Sequence, residues 1–344
     1  MKKTPQRKGH PVAFPAGSCH NTRMAKRTVR TSRQTAATRA AAKPPAELQT
    51  LVDFVRHAAT RFAGAKLAFG QGTDDAIGDA VLLVCGALEL DVASFDAFAA
   101  ARLTGAERRR IAELIETRVR TRKPVPYLVN RVYMRGVPFY VDERTIIPRS
   151  FIGEIVQGEL FAGGEAALAA PDEVGRVLDL CTGSGCIAIL AAMAFPNAGV
   201  DAVDISQDAL AVAAINVREH GLEDRIRLVR GDLFAPLRGE RYDLILTNPP
   251  YVDAQGMAAL PKEYRAEPAL ALDGGDDGIA IVRRIVEAAP ARLTPEGGLL
   301  CEVGRGRAAV EKAWPDLDFL WLDTAGSTGE VFWIAARDLA QVRS

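Results

Sequence analysis

From Arg176 onward the chain alternates short apolar runs with helical stretches, and this alternation leaves few folds open. Arg176–Cys181, Gly199–Ile205, Arg225–Arg230, Tyr242–Thr247 and Gly298–Val303 are rich in Val, Leu and Ile. They are too short for core helices and read as strands. The stretch Ser206–His220 between two of them has helical spacing, with Ser206 as its N-cap. Strands that alternate with helices build a parallel sheet with helices on both faces, an α/β architecture. Phe319–Leu322 and Glu330–Ala335, around Gly326, read as a terminal antiparallel hairpin.

Open sheets of this kind bind ligands beyond the carboxyl ends of their strands. Four successive strands here end in polar groups. The first runs into Asp179-Leu180-Cys181-Thr182-Gly183-Ser184-Gly185-Cys186, where two glycines permit a tight turn and close backbone approach to a ligand. The second ends at Asp204, whose carboxylate suits two hydroxyls of a ribose. The third ends at Gly231-Asp232-Leu233-Phe234, which offers an acceptor for an adenine amine and an apolar side chain for its ring. The fourth ends at Thr247-Asn248-Pro249-Pro250-Tyr251. Its prolines stop the strand, because neither donates to a ladder. The Asn248 side-chain carbonyl and the Pro249 carbonyl form two adjacent acceptors, suited to a planar NH2 group, and Tyr251 adds a flat face. Each feature alone also fits a plain strand-ending turn; their joint occurrence in this order does not.

Upstream, Pro45 to about Arg120 is helical. Leu48, Leu51, Val52, Val55 and Ala59 recur at three- and four-residue spacing. Asp74 or Asp75 caps a second helix carrying Ala80, Leu83, Val84 and Leu88, and Thr104 with Glu107 forms a capping box for a third carrying Ile111, Leu114, Ile115 and Val119. A Pro-rich link at Lys123–Leu128 leads to a hairpin, Val132–Met134 and Pro138–Val141. The expected organisation is a basic tail at 1–45, a helical substrate-recognition domain at 46–122, a linker with a hairpin at 123–150 and a catalytic domain at 151–344. Arg149 and Glu154 read as a structural pair at the junction.

The net charge of zero hides an uneven distribution: the first 46 residues hold eleven Lys or Arg and no Asp or Glu. That segment has little to bury and reads as a disordered tail. An RNA-contacting arm, a transit-peptide-like leader and sequence upstream of a start at Met24 all fit it, and a dispensable tail is the favoured reading. At 48% hydrophobic and 25% charged residues the whole is a globular chain, without an apolar run long enough for a membrane span. Five cysteines without C-x-x-C spacing argue for a reducing compartment, and the four scattered histidines suggest no metal site.

The series Asp-x-x-x-Gly-x-Gly, Asp204, Asp232 and Asn-Pro-Pro-Tyr resembles the class I S-adenosylmethionine-dependent methyltransferases that act on planar NH2 groups. The helical domain, Pro126-Tyr127-Leu128, Phe139-Tyr140-Val141 and Ile147-Pro148-Arg149 resemble the HemK/Prm-type protein glutamine methyltransferases. Several segments look like the branch that modifies ribosomal protein L3: Pro148-Arg149-Ser150-Phe151-Ile152-Gly153-Glu154, where release-factor enzymes read Pro-Arg-Pro-Asp-Thr-Glu, with Phe69–Asp74, Cys181–Ala188, Tyr251–Ala254 and Leu260–Pro268. The resemblance covers about residues 47 to 340. It implies a Rossmann-like, mostly parallel seven-stranded sheet, a cytoplasmic enzyme and methyl transfer from S-adenosylmethionine to a glutamine side-chain amide. It also implies cofactor contacts at Asp179, Leu180, Cys181, Thr182, Gly183, Gly185, Asp204, Asp232, Leu233 and Asn248. Asn248 and Pro249 are the expected catalytic groups, with Pro250, Tyr251 and Phe139 beside the substrate and no metal. The expected partner is ribosomal protein L3, free or in an assembling subunit, with a weak rRNA contact through the tail and none with a membrane. Methylation of release factors, or of a nucleic-acid adenine amine, are the alternatives.

Overall fold

The core of the molecule is a seven-stranded sheet of order β5-β4-β3-β6-β7-β9-β8. Its strands are β3 (Arg176–Leu180), β4 (Gly199–Asp204), β5 (Ile226–Arg230), β6 (Tyr242–Thr247), β7 (Leu293–Glu302), β8 (Leu320–Asp323) and β9 (Thr328–Ala335). The structure, a computed structural model, describes residues 45–163 and 168–339, so the basic tail lies outside the described residues. The first five strands pair in parallel; β9 lies antiparallel between β7 and β8. The sheet is the expected class I methyltransferase fold, mostly parallel with helices on both faces.

Strand order reverses beside β3: the chain steps out through β4 to β5, then returns to lay β6 on the other side. That reversal opens a crevice at the carboxyl edge. Register aligns what stands there. Leu180 pairs with Val203 and with Thr247, and Thr247 with Cys301. The next position on each strand therefore brings Cys181, Asp204, Asn248 and Glu302 to one edge.

Two apolar layers cover the sheet. On one side α7 (Cys186–Ala194) packs with α6 (Ile152–Val156) and Phe161, Phe195 and Trp333. Seven of the nine α7 residues are buried, which explains an almost continuously apolar helix. On the other side α10 (Ala280–Ala288) contributes Val282, Ile285 and Val286 to a layer with Leu178, Ile245, Leu299 and Phe332. The remaining helices of this half are α8 (Gln207–Glu219), α9 (Ala254–Ala259), α11 (Arg307–Ala313) and α12 (Ala336–Leu339). Ser206 caps α8 through the Ala209 N–H, as its sequence position predicts.

Before the sheet, α1 (Leu51–Gly64), α2 (Ala76–Ala87), α3 (Phe95–Phe98), α4 (Gly105–Thr121) and α5 (Val125–Val129) gather around their own buried cluster. Asp75 caps α2, and Thr104 with Glu107 closes both bonds of the capping box on α4. The α1 face differs by one position from expectation. Leu51, Phe54, Val55, Ala58 and Phe62 are buried, whereas Val52 is 46% exposed. The Pro-rich link makes one helical turn, α5, since proline is compatible with the first helical positions. Then β1 (Val132–Met134) and β2 (Val137–Phe139) form the expected hairpin.

Candidate active site

The β3–α7 loop is shaped by backbone conformation before any side chain. Gly183 has φ +56° and Gly185 φ +80°. A Cβ on Gly183 would stand 3.3 Å from the Thr145 hydroxyl, so glycine keeps the loop open toward that side chain. A Cβ on Gly185 would meet Ala213 instead, so the second glycine serves the packing of α7 on α8. Asp179 lies beneath the loop, fully buried; its Oδ2 accepts from the Thr182 hydroxyl at 2.5 Å and the Ala188 N–H at 3.1 Å. Burial pushes its carboxyl up to about 7 against those two donors.

Asp204 is tied to the loop as well. One oxygen accepts from Gly183 N–H and the other from Ser206 N–H, at 2.9 and 2.8 Å. Burial raises its carboxyl above the ordinary value, opposed by the Ser206, Gly183 and Ile205 N–H groups.

A cavity of about 210 Å³ opens at this edge. Cys181, Gly183, Asp204, Asp232, Leu233, Asn248 and Pro250 all line it, so seven expected site residues from four strand ends converge there. Thr145, Ile146 and Arg144 add a wall from the linker, and Pro268, Leu270 and Ala271 close another side. The Thr145 hydroxyl is buried and has no hydrogen-bond partner among the described residues. Asp232 does not present a free carboxylate: Arg284 on α10 donates to it at 2.7 Å, and both line the cavity.

The other expected residues lie deeper. Leu180 is buried and its carbonyl accepts from the Thr247 hydroxyl; Thr182 is held by Asp179; Pro249 is buried behind Asn248. Leu180 and Thr182, with Asp179 and Gly185, support the lining without forming it, and Pro249 joins the two lining residues Asn248 and Pro250. Asn248 uses neither its carboxamide oxygen nor its nitrogen in any hydrogen bond among the described residues, which leaves it available at the cavity.

Two expected substrate neighbours do not line this cavity. Phe139 is 0% exposed in the core of the linker and packs against His220, with ring centroids 5.5 Å apart; its aromatic face is spent on packing. Tyr251 directs its hydroxyl to Glu302 Oε1 at 3.2 Å and packs its ring against Gly304.

Three carboxylates near this edge were not singled out from sequence as site residues. Glu267 is buried and accepts from Ile147 N–H, both Arg149 guanidinium nitrogens and the Gln71 amide. The pairing of Arg149 is therefore with Glu267, not Glu154. Glu154 accepts from Ala325 N–H and faces Arg135 instead. Glu263 accepts from Ala68 N–H and pairs with Arg122 at 2.6 Å. Glu302 gathers Ser150, Phe151 and Tyr251. All three glutamates lie in or beside recognisable sequence segments, but no local pattern announces a partner more than a hundred residues away.

Comparison with known proteins follows the same line. Residues 165–263 match the model of the methyltransferase small domain. A ribosomal protein uL3 glutamine methyltransferase of Bradyrhizobium diazoefficiens is 60% identical over 318 residues, covering 92% of this chain and 100% of the relative. Proteins of the same description from Burkholderia pseudomallei and Bordetella pertussis are 50% and 49% identical, covering 87% and 85% of this chain and 98% and 97% of those relatives.

Proposed function

The chain belongs to the ribosomal protein uL3 glutamine methyltransferase family, and on that premise we propose that it methylates the side-chain amide nitrogen of a glutamine in ribosomal protein uL3, with S-adenosylmethionine as donor. The observation that carries the proposal is the 60% identity along the entire length of a relative so described. A cytoplasmic reaction is part of the same proposal, supported by the ribosomal substrate of the relatives; among the described residues no helix is long and apolar enough to cross a membrane.

The residues at the cavity suit the donor. Polar groups at Asp204, Asp232 and the unpartnered Thr145 hydroxyl alternate with apolar Ile205, Leu233 and Ile281, matching a ligand that is part sugar, part aromatic base and part amino acid. Gly183 and Cys181 would hold the methionine portion, Asp204 the ribose, and Asp232 with Leu233 the adenine. When bound, S-adenosylmethionine supplies a methyl group made electrophilic by its sulfonium.

An amide nitrogen is a weak nucleophile, because its lone pair is delocalised into the carbonyl. Asn248 Oδ1 and the Pro249 carbonyl accept the two amide hydrogens. They fix the direction of the nitrogen lone pair and stabilise the positive charge that grows on nitrogen as the new bond forms. Pro249 and Pro250 have fixed φ, so the acceptor pair is held before substrate arrives. The proton leaves to water after transfer.

Asn248→Ala is expected to lower kcat on uL3 by roughly a hundredfold or more. Affinity for S-adenosylmethionine, measured by calorimetry, should change by no more than about twofold, since the donor is held mainly by other strand ends. A variant that folds normally by circular dichroism and methylates uL3 near the wild-type rate would overturn the two-acceptor mechanism.

A further inference from the structure

Glu302 closes β7 and is 1% exposed, one position beyond Cys301, which pairs with Thr247. Its Oε2 accepts from the Ser150 hydroxyl at 2.7 Å and the Phe151 N–H at 2.9 Å. Its Oε1 accepts from the Tyr251 hydroxyl at 3.2 Å. One carboxylate thus joins β7, the linker after Arg149 and the loop that carries Asn248.

The Tyr251 ring is placed from below. Gly304 has φ +50°, and a Cβ there would stand 2.6 Å from the ring, so only glycine admits Tyr251 in this position. Beyond Tyr251 the loop is pinned again: Val252 donates to Leu272 and accepts from Gly274, both at 2.9 Å. Between Tyr251 and Asn248 stand two prolines with fixed φ, so few soft torsions remain. Where Tyr251 sits decides where Asn248 and the Pro249 carbonyl point.

We propose that Glu302 is a positioning residue of methyl transfer: through Tyr251 it aligns the Asn248–Pro249 acceptor pair, and through Ser150 and Phe151 it ties that alignment to the linker whose Thr145 and Ile146 wall the cavity. The inference rests on the assignment of Asn248 and Pro249 as the amide acceptors.

Only the ionised carboxylate accepts from all three donors. Burial pushes the Glu302 carboxyl up to about 7, against the lowering effect of the Ser150, Phe151 and Tyr251 donors. Glu330 on β9 raises it further; Cys301 is buried beside it, and Arg149 faces Tyr251 from the linker. Protonation falls on Oε1, which has the single and longest bond, and turns the acceptor for Tyr251 into a donor. The contact then inverts: Tyr251 accepts from Glu302 and must turn its own buried proton elsewhere, so its hold on the acceptor pair weakens as pH falls through about 7.

The test uses the full chain with uL3 at saturating S-adenosylmethionine, so that changes in cofactor affinity do not enter kcat. Wild type, Glu302→Gln and Tyr251→Phe are compared between about pH 5.5 and 9. Wild-type kcat should rise through about pH 7. In Glu302→Gln an amide NH2 replaces one acceptor oxygen; kcat should fall by roughly 10- to 100-fold, without that rising limb, while cofactor Kd stays within about twofold. Tyr251→Phe keeps the ring and the carboxylate; it should lose the limb with a smaller drop in kcat. Unchanged kcat and limb in Glu302→Gln would overturn the proposal. A parallel loss of cofactor affinity would also overturn it, by revealing a general structural role. If Glu302→Gln does not fold, Tyr251→Phe decides: a wild-type profile there refutes the coupling. Asn248→Ala separates the two levels. If it abolishes turnover while both other variants behave as wild type, only the role of Glu302 falls; if it does not, the parent mechanism falls.

Discussion

Asp179, read from sequence as a cofactor contact, is buried beneath the β3–α7 loop and does not line the cavity. Its carboxylate never reaches the cavity; it spends one oxygen on Thr182 and Ala188, while the other is buried without a partner. Desolvation dominates, so the carboxyl is pushed up to about 7, well above the ordinary carboxylate range. The sign follows from proton counting. Between about 4 and 7 the folded state keeps a proton that the unfolded state has released, so this group's contribution to stability falls as pH rises through that window. Asn at 179 removes the titration. From pH 5 to pH 8 the stability of Asp179→Asn relative to wild type should improve by about 2 to 3 kcal/mol, whatever the offset at pH 5. Urea denaturation at the two pH values measures the difference. A constant offset would show that Asp179 does not titrate in this range. Glu302 contributes the same slope to both proteins and cancels in the comparison.

Among the elements, the segment Leu260–Pro268 has no long helix or strand, only the 3-10 turn Lys262–Ala266, yet it joins the parts of the described structure. Glu263 reaches the loop after α1, and Glu267 reaches Gln71, Ile147 and Arg149, while Pro268 lines the cavity. Tyr264 adds its ring beneath the Arg149 guanidinium, 5.4 Å from the ring centroid. Glu267→Ala leaves a buried N–H, a buried amide and most of a guanidinium without their acceptor. Loss of one partner from a buried pair of this kind costs about 3 to 5 kcal/mol. A denaturation midpoint within error of wild type would show the clamp to be dispensable. These contacts also mark the limit of what the sequence discloses. The strands, the cap at Asp75, the capping box at Thr104 and Glu107 and the cap at Ser206 were legible because each depends on neighbours within a few residues. The four polar strand ends were legible because parallel topology brings such ends to one edge. Glu267 bonds residues 118 to 196 positions away, and a glutamate in a row of polar residues carries no sign of that distance. For the same reason the sequence disclosed neither the anchoring of the Tyr251 hydroxyl on Glu302 nor the packing of Phe139 on His220.

For the whole molecule, charge is the property that divides the chain most sharply. Eleven cationic residues precede Glu47, and the remainder carries an equal excess of acid. A relative is matched along its full length by 92% of this chain, so a family member of that description is accounted for without all of the present residues. The cavity, Asn248 with Pro249 and the Glu263–Glu267 clamp all fall after residue 60. Removal of residues 1–44 should therefore leave the cofactor Kd, and kcat on isolated uL3, within about twofold of wild type. Nonspecific RNA binding should respond differently. If several of the eleven cations contact phosphates, log K falls with log salt at a slope of about −0.9 per contact on duplex and about −0.7 on single strands. The truncated enzyme should then bind rRNA more weakly at low salt and with a shallower slope. Equal slopes for the two proteins would remove the tail from RNA contact. A loss of uL3 turnover in the truncated protein would instead make those residues part of substrate recognition, the role expected of the helices before the linker.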